Sequence, residues 1–348
     1  MQGVRKGVSV FLDACRLKET EYTPVWFMRQ AGRYLPSYRK IKGSKSVLEI
    51  AKNPLLASPA VADAVNQLGV DAGIIFADIM LPLEGMGVEF RIEEDLGPVV
   101  SNPIRNATDV ANLDEFEPET HVGYVFDAID ATLAKLNGMS LIGFSGAPFT
   151  LAGYMIEDAP SRELGRTKEM MYRKPEAWSA LMRKLTKMVK QYLDRQVRHG
   201  VNAVQLFDSW VGALSPSDYE RYVLPYTKEV FDSVSKTVPT IHFCANSAGL
   251  LEEFCSIGAD VLSVDWRLTI GEVWERCGDE LGVQGNLDPA AAAAGGDALS
   301  RGVAEVLAEA GGRRGHIFSL GHGVMKETPP ENLKTVVRTV HDRTRRKR

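Results

Sequence analysis

The stretch ADVLSVDWRLTIGEVWERCGDELGVQGNLD, residues 259–288, contains two short, largely apolar segments on either side of one helical segment. The two flanking segments are ADVLSVDW (259–266) and GVQGNLD (282–288), and polar residues follow each apolar part. Short apolar runs of this kind are typical of strands that are buried on both faces of a parallel sheet. The stretch therefore predicts a strand–helix–strand unit with two parallel strands.

The same plan recurs along the whole chain of 348 residues. The other six strand-like segments are VWFMRQ (25–30), AGIIFAD (72–78), SLIGFSG (140–146), NAVQLFD (202–208), PTIHFCAN (239–246) and GHIFSLGHG (315–323). The helical segments include 58–69, 175–200, 248–258, 298–312 and 329–343. Eight strands that alternate with helices predict an α/β fold, a single (β/α)8 TIM barrel, with a doubly wound open sheet as the alternative. The longest gap, 79–139, predicts an excursion of extra strands or a hairpin between the second and third strands.

Composition and charge bound the class of protein. The chain is 45% hydrophobic, enough for a full core, and a barrel would make residues 1–348 one domain. The net charge of -4 gives no general field that favours nucleic acid. No apolar run approaches the roughly 20 residues that span a bilayer, so no membrane partner is expected. The basic end HDRTRRKR, residues 341–348, predicts a solvated, frayed tail.

Cysteine usage and the N-terminus indicate a cellular compartment. The cysteines at positions 15, 244, 255 and 277 are too few for a disulfide framework in a chain of this length. The N-terminal segment has a broken apolar stretch and an early Asp13, which makes a poor signal peptide. A reducing cytoplasm is therefore the expected location.

Polar side chains collect at the predicted carboxyl ends of the strands, where α/β barrels have their active sites. In chain order these residues are Arg29, Asp78, Ser145, Asp208 with Ser209, His242, Asp265, Asn286 with Asp288, and His322. We therefore expect several of these side chains to line one site.

Two arginines after the first predicted strand indicate the kind of ligand. Arg29 and Arg33 stand four residues apart, and the next acidic residue along the chain is Glu49. Guanidinium groups bind carboxylate or phosphate through paired hydrogen bonds, and Gly32 between them permits close backbone approach. The alternative is a solvated helix face, or ion pairs with the acidic ends of later strands. The pattern favours an anionic ligand with several negative groups.

Other familiar motifs are absent or incomplete. The chain has no phosphate-binding GxxxxGK[ST] loop, and neither GFSGAP nor LFDSWVG is the GxSxG elbow of a hydrolase. His242 and Cys244 could supply two zinc ligands, but a third is uncertain, with His322 as one option. We therefore expect neither a metal nor another cofactor.

Two long segments resemble the signatures of the uroporphyrinogen decarboxylase family. They are PVWFMRQAGRYLPSYRK (24–40) and GFSGAPFTLAGYMIE (143–157). Four shorter matches follow in order: IIFADI (74–79), LFDSW (206–210), VQGNLDP (283–289) and LGHGV (320–324). The resemblance covers about residues 10 to 340. It implies one barrel, usually a homodimer, without metal or organic cofactor.

The same resemblance implies an activity and a set of site residues. Members of the family decarboxylate the four acetate side chains of uroporphyrinogen III to coproporphyrinogen III and carbon dioxide, in the haem and chlorophyll branch of tetrapyrrole synthesis. The implied substrate contacts are Arg29, Gln30, Ala31, Gly32, Arg33, Asp78, Tyr154, Ser209 and His322.

Catalytic roles in this set are expected for Asp78, Arg29 and Arg33. Asp78 would accept pyrrole N–H groups and stabilise the transition state. The two arginines, with His322, would bind carboxylates by charge-assisted hydrogen bonds. Tyr154 and Ser209 would add neutral donors.

Two other functions are compatible with parts of this pattern. Methylcobamide:thiol methyltransferases have a similar fold and hold zinc with His-x-Cys and a later cysteine. This chain has His242 and Cys244, but it reads SLGHG (319–323) where that cysteine is expected, and the rival lacks the double-arginine signature. A non-catalytic tetrapyrrole carrier would keep the arginines but would not need Asp78.

Overall fold

The centre of the fold is a curled parallel sheet covered by helices. The computed structural model describes residues 9–93, 96–234, 236–246 and 248–346. Its strands are β1 Ala72–Ile74, β2 Phe90–Glu93, β3 Gly97–Val100, β4 Ser140–Gly146, β5 Ala203–Asp208, β6 Thr240–Cys244, β7 Val261–Val264, β8 Gly282–Leu287 and β9 His316–Leu320. In the described part of the chain, seven of them pair in the order β1–β4–β5–β6–β7–β8–β9, and every pairing is parallel.

Helices follow the strands and cover the outside of the sheet. They are α1 Val10–Cys15, α2 Pro36–Lys42, α3 Val47–Ala51, α4 Pro54–Leu68, α5 Leu81–Glu84, α6 Ala107–Ala111, α7 Pro118–Leu133, α8 Pro148–Glu157, α9 Gly165–Arg173, α10 Pro175–Arg198, α11 Pro216–Tyr222, α12 Leu224–Val234, α13 Leu251–Cys255, α14 Ile270–Cys277, α15 Pro289–Ala294, α16 Gly296–Ala310 and α17 Pro330–Thr344, with 3-10 turns at Val211–Ala213 and Ala248–Leu250. Strands β4, β6 and β9 are buried at every residue, which is why the sequence reads as continuous apolar runs there.

The gap between the last and first strands is closed by the segment 24–26. On one side, the N–H of Phe318 in β9 donates to the carbonyl of Pro24 (2.8 Å), and Trp26 donates back to Phe318 (3.3 Å). On the other side, the N–H of Asp71, just before β1, donates to the carbonyl of Val25 (2.8 Å). The sheet therefore closes as the predicted barrel rather than as a doubly wound open sheet.

The predicted first strand, 25–30, is wrong beyond its first residues. Its strand pairing is limited to one parallel bridge between Val25 and Phe318. The chain then turns, because the N–H of Gln30 bonds to the carbonyl of Phe27 (3.2 Å) and Arg29 has φ +60°. A left-handed residue cannot continue an extended strand.

The predicted excursion between the second and third strands is confirmed. Strands β2 and β3 form an antiparallel hairpin, with Phe90 opposite Val100 and Glu93 opposite Gly97. The hairpin lies between β1 and β4 in the chain and outside the main sheet.

The basic C-terminal segment is ordered further than expected. Helix α17 runs to Thr344, and Arg345 forms an ion pair with Glu21 (2.8 Å). Arg346 also pairs with an acidic side chain, that of Glu19, so the expected frayed tail is wrong for residues 341–346. The remaining two residues of the tail lie outside the described residues. The segment is ordered because two acidic residues near the N-terminus, Glu19 and Glu21, form ion pairs with its arginines.

The structure also contains a disulfide between Cys255 at the end of α13 and Cys277 at the end of α14. Cys15 and Cys244 are buried thiols. Within the described ranges, none of the helices has the length and apolar character needed to cross a bilayer.

Asp71 holds the closing segment in place, which generates a stability prediction. Its carboxylate accepts hydrogen bonds from the N–H of Val25 (2.7 Å) and the hydroxyl of Tyr22 (3.1 Å), and it lies 2.8 Å from Nε2 of His341 in α17. Asp71→Ala should lower the free energy of unfolding by about 3 kcal/mol, because three polar groups lose a charged partner. Urea denaturation followed by circular dichroism measures this change.

Asp342→Ala is the matched control, because Asp342 is exposed and follows His341 on the same helix. Its effect should stay within about 0.5 kcal/mol. Equal effects of the two substitutions would show that Asp71 does not stabilise the closure.

Candidate active site

The predicted site residues lie on loops and a helix at the carboxyl ends of the strands. We call this face, formed by Arg29, Asp78, Tyr154, Ser209 and His322, the mouth of the barrel. Arg29 follows the closing segment, Asp78 follows β1, Ser209 follows β5 and His322 follows β9, whereas Tyr154 lies on α8. All five side chains are at least partly exposed, so a ligand can reach them.

Arg29 interacts with most of the other residues of the mouth. Its positive charge acts on the ionisation of Asp78, Tyr154 and His322. Its stem also packs against the backbone of Gly323, where an added Cβ would lie 2.5 Å from Cδ of Arg29. The sequence signal for this contact is the pair of glycines, Gly321 and Gly323, that flank His322.

Gln30 holds the loop that presents Arg29. Its side chain is 1% exposed; Oε1 accepts the N–H of Phe27 (3.2 Å), and Nε2 donates to the carbonyl of Ala72 (3.1 Å). The hydroxyl of Tyr34 donates to the carbonyl of Gln30 (2.5 Å). These bonds hold Arg29 in its left-handed conformation, a strained backbone state that proteins keep mainly at functional sites. Because its side chain is buried and bonded to Phe27 and Ala72, Gln30 is turned away from the mouth.

Arg33 follows Arg29 on the same loop. It is exposed, and its charge acts on the ionisation of Tyr38. Its carbonyl accepts a hydrogen bond from Arg39 (2.9 Å). Ala31 and Gly32, the residues between the two arginines, are partly exposed, so their backbone is accessible from solvent.

Asp78 is partly buried at the base of the mouth. Burial raises the pKa of its carboxyl group above the ordinary range, whereas the N–H of Met80, which donates to Oδ1 (2.9 Å), and the charge of Arg29 act in the opposite direction. Met80 bonds only one of the two carboxylate oxygens, Oδ1, and the other acceptor atom of Asp78 is Oδ2. A carboxylate in poorly hydrated surroundings interacts strongly with any positive charge that develops beside it.

His322 is held as one tautomer. Its Nδ1 accepts the N–H of Gly323 (2.8 Å), which leaves Nε2 to bear the proton and to donate. Burial and the charge of Arg29 lower its pKa to about 4. At neutral pH the ring therefore offers a neutral N–H donor rather than a cationic imidazolium group.

Tyr154 and Ser209 add neutral polar groups. Burial raises the pKa of the Tyr154 phenol, which keeps it protonated, and a hydrogen bond with Trp210 acts in the opposite direction. The rings of Tyr154 and Trp210 pack edge-on with centroids 5.6 Å apart. Ser209, which precedes Trp210, is partly exposed at the end of β5. Sequence reasoning did not recognise Trp210, although it lies within the matched LFDSW motif.

Several other polar residues at strand ends have structural roles. The hydroxyl of Ser145 donates to the carbonyl of Gly146 (3.1 Å). Asn286 donates through Nδ2 to the carbonyl of Asp265 (2.9 Å). Asp288 caps α15. These side chains stabilise the loops of the mouth rather than line it.

A fully buried cluster of Asp208, His242 and Cys244 lies behind the mouth. Oδ1 of Asp208 accepts the hydroxyl of Thr150 (2.9 Å), Oδ2 lies 3.6 Å from Nε2 of His242, and Sγ of Cys244 lies 3.4 Å from the same nitrogen. Burial, followed by the negative charges of Asp208 and Asp265, raises the pKa of the Cys244 thiol well above its ordinary value, so the group is a neutral thiol here. Across the described ranges, no group of three or more His, Cys, Asp or Glu side chains has the arrangement of a metal site.

A separate cavity of about 460 Å³ opens at the opposite face, near the start of β9. Tyr22, Arg313, His316 and Arg343 contribute to its lining. It contains none of the residues of the mouth.

The fold defines an α/β barrel, a class of protein in which active sites lie at the carboxyl ends of the strands, where Arg29, Asp78 and His322 are found. A family model described as uroporphyrinogen decarboxylase (URO-D) matches residues 8–343. The chain belongs to this family.

Curated relatives agree with the family match. Proteins named uroporphyrinogen decarboxylase from Carboxydothermus hydrogenoformans and Sorangium cellulosum are 50% and 47% identical, each covering 95% of this chain and 95% of the relative. A protein of the same name from Streptomyces coelicolor is 45% identical over 97% of this chain and 95% of its own. Among solved structures, a methyltransferase from Methanosarcina mazei superposes with a TM-score of 0.81 at 18% identity, covering 97% of this chain and 99% of that one. This last likeness shows the fold alone.

The electrostatics of the mouth give a prediction for His322. Its ring should remain neutral down to about pH 5, and Arg29→Gln should raise its pKa because a nearby positive charge is lost. The imidazole resonances of labelled protein, followed by NMR from pH 8 to pH 4, measure this.

His316 is an internal control. Burial lowers its pKa to about 4 as well, but Arg29 is not among the causes, so its titration should not change. Both rings bind protons less readily than in the unfolded chain, so they should reduce stability as the pH falls from 6.5 towards 4. Titration of His322 near pH 6.5 in the unsubstituted protein would contradict this description of the mouth.

Proposed function

We propose that the chain decarboxylates the four acetate side chains of uroporphyrinogen III and releases coproporphyrinogen III and carbon dioxide, in tetrapyrrole (haem) biosynthesis. Membership of the family makes the chain a decarboxylase, hence a carboxy-lyase. The observation that most supports the detailed reaction is the partly buried carboxylate of Asp78 after β1, which accepts the N–H of Met80 (2.9 Å) and lies within the electrostatic influence of Arg29.

The substrate has eight carboxylates, and the exposed arginines suit such a polyanion. Arg29 is fixed by its loop and by Gly323, so it can bind a carboxylate with little loss of side-chain freedom. Arg33 is exposed on the same loop and is assigned to a second carboxylate. Arginine remains charged throughout the physiological range, so both contacts are charge-assisted.

Neutral donors then fix the orientation of the bound ring. His322 offers Nε2–H, and Tyr154 offers a protonated phenol. Ser209 is the third neutral group of the set. Because none of these donors has a net charge, they can select the position of a carboxylate without adding to the general attraction for anions.

Asp78 is the proposed transition-state stabiliser. Its carboxylate accepts the pyrrole N–H groups, which folds the macrocycle around one charged acceptor. Protonation of a pyrrole carbon makes the ring cationic, and the electron pair of the breaking C–CO₂ bond moves into that ring. Carbon dioxide leaves, a proton adds to the methylene carbon to give a methyl group, and the ring proton is returned.

The negative charge of Asp78 stabilises the ring cation as it develops, in surroundings poor in water. The raised pKa of Asp78 has a consequence for pH dependence, because the active form is the anion. As the pH falls, this group takes up a proton earlier than an ordinary carboxyl group does, and activity is lost with it. The charge of Arg29 opposes this loss, which gives the arginine a second role beside binding.

The family resemblance also supports several broader proposals. The expected assembly is a homodimer, the expected location is the cytoplasm, and neither nucleic acid nor a membrane is an expected partner. A reducing compartment would hold Cys255 and Cys277 as two thiols rather than as the disulfide. The chain as a whole, 1–348, is proposed to act as one domain.

Anaerobic incubation with uroporphyrinogen tests the proposed reaction. Purified protein should convert the eight-carboxylate substrate through seven, six and five to the four-carboxylate product, which chromatography of the oxidised porphyrins resolves. Protein treated with a chelator should retain full activity, because we expect no metal to take part. Unchanged substrate, or activity that is lost with a stoichiometric metal, would contradict the proposal and favour the zinc-dependent methyltransferase alternative.

A further inference from the structure

The loop after β7 presents a cationic side chain, that of Arg267, which has no part in the proposed function. Strand β7 ends at Val264 and is followed by Asp265, Trp266 and Arg267. Asp265 is 3% exposed, and its carboxylate accepts the N–H of Asn246 (2.6 Å) and the N–H of Arg267 (2.9 Å). The guanidinium of Arg267 also donates to Asp265 through NH1 (2.9 Å). The loop is therefore fixed by a buried anion.

Trp266 positions the guanidinium. The plane of its indole lies under Arg267, with the guanidinium carbon 4.3 Å from the ring centroid. The backbone of Trp266 packs tightly on Gly321, where an added Cβ would lie 2.7 Å from the Trp266 nitrogen. Gly321 directly precedes His322, so this contact joins the loop to a residue of the mouth.

Arg267 is also electrostatically close to the mouth. Its positive charge acts on the ionisation of His322, as does that of Arg29. Trp266 is 37% exposed and the side chain of Arg267 is 47% exposed, so the stacked pair is accessible to a ligand. A planar guanidinium that is already stacked and paired loses little freedom when it binds a carboxylate.

The competing explanation is that Arg267 only neutralises Asp265. The carboxylate of Asp265 is already bonded by two backbone N–H groups, and NH1 is the guanidinium nitrogen that faces it. The guanidinium has five N–H donors in a fork that can bind a second carboxylate in addition to the first. A purely structural pair would also not need the exposed indole platform.

We propose that Arg267, stacked on Trp266, binds a carboxylate of the substrate at the rim of the mouth. The inference rests on the proposed function, because it takes the ligand to be a polycarboxylate tetrapyrrole. The carboxylate belongs either to an acetate, which is removed during the reaction, or to a propionate, which is retained. Arg267 thus sets affinity for the carboxylated periphery and takes no part in the bond-breaking step.

Arg267→Gln tests this role, with Arg313→Gln as the matched control. Arg313 also stacks on an indole, that of Trp274 (5.5 Å), and lies 3.9 Å from Asp279, but it lines the cavity at the opposite face. Arg267→Gln should raise the KM for uroporphyrinogen about tenfold, the scale of one charge-assisted bond, with kcat within about twofold. Arg267→Lys should restore part of the affinity, and Arg313→Gln should leave KM unchanged.

The KM for the five-carboxylate intermediate identifies the group that Arg267 binds. If it binds a propionate, Arg267→Gln raises both KM values equally. If it binds an acetate that the earlier steps have removed, only the KM for the eight-carboxylate substrate rises. Either result supports the site.

Anaerobic binding titrations give a second readout that does not depend on turnover. Uroporphyrinogen is added to Asp78→Asn protein with and without Arg267→Gln, and tryptophan fluorescence reports occupancy. Equal affinity of the two proteins, or a lower melting temperature with unchanged KM, would overturn the role of Arg267. Failure of the unsubstituted enzyme to decarboxylate would instead count against the proposed function alone.

Discussion

The structure depends on how the barrel closes between its last and first strands. The closing segment is short and has a single strand bridge to β9. Side-chain hydrogen bonds therefore hold it in place, where backbone hydrogen bonds hold the longer strands. Asp71 supplies them, because one buried carboxylate bonds the closing segment and meets α17, near the other end of the chain. The same short segment frees the chain to turn at residue 29, which directs Arg29 to the mouth. A full-length strand over 25–30 would have carried the extended backbone past this point.

The sequence predicted the strands well where burial decides the pattern, and less well where tertiary contacts decide it. Strand β4 coincides with the apolar run 140–146, whereas 25–30 turns at Arg29, where the backbone of Gln30 bonds to Phe27 and its side chain to the carbonyl of Ala72. The helix predicted over 58–69 begins earlier, at Pro54, because Asn53 caps it and the Ser-Pro pair lies inside. The neutral state of His322 was not predictable, since it follows from burial and neighbouring charge rather than from residue type.

The mouth combines fixed positive charge with one poorly hydrated negative charge. Arg29 supports Asp78 as an anion and His322 as a neutral ring, so one side chain sets two protonation states. This arrangement separates two tasks that a polyanionic substrate imposes. In the proposed reaction the arginines attract the substrate, while Asp78 at the base of the mouth supplies the negative charge that a cationic ring intermediate requires. The buried side chains of Asp208, His242 and Cys244 lie in contact with one another behind it.

The most direct test of this account is a comparison of Asp78→Asn with the unsubstituted enzyme. The substitution keeps the size and one acceptor oxygen but removes the charge, so kcat should fall by a factor of about a hundred to a thousand. Affinity for coproporphyrinogen should fall much less, because the neutral product ring has no developing charge to stabilise. An unchanged kcat with weakened product binding would contradict the account, since Asp78 would then only shape the ligand.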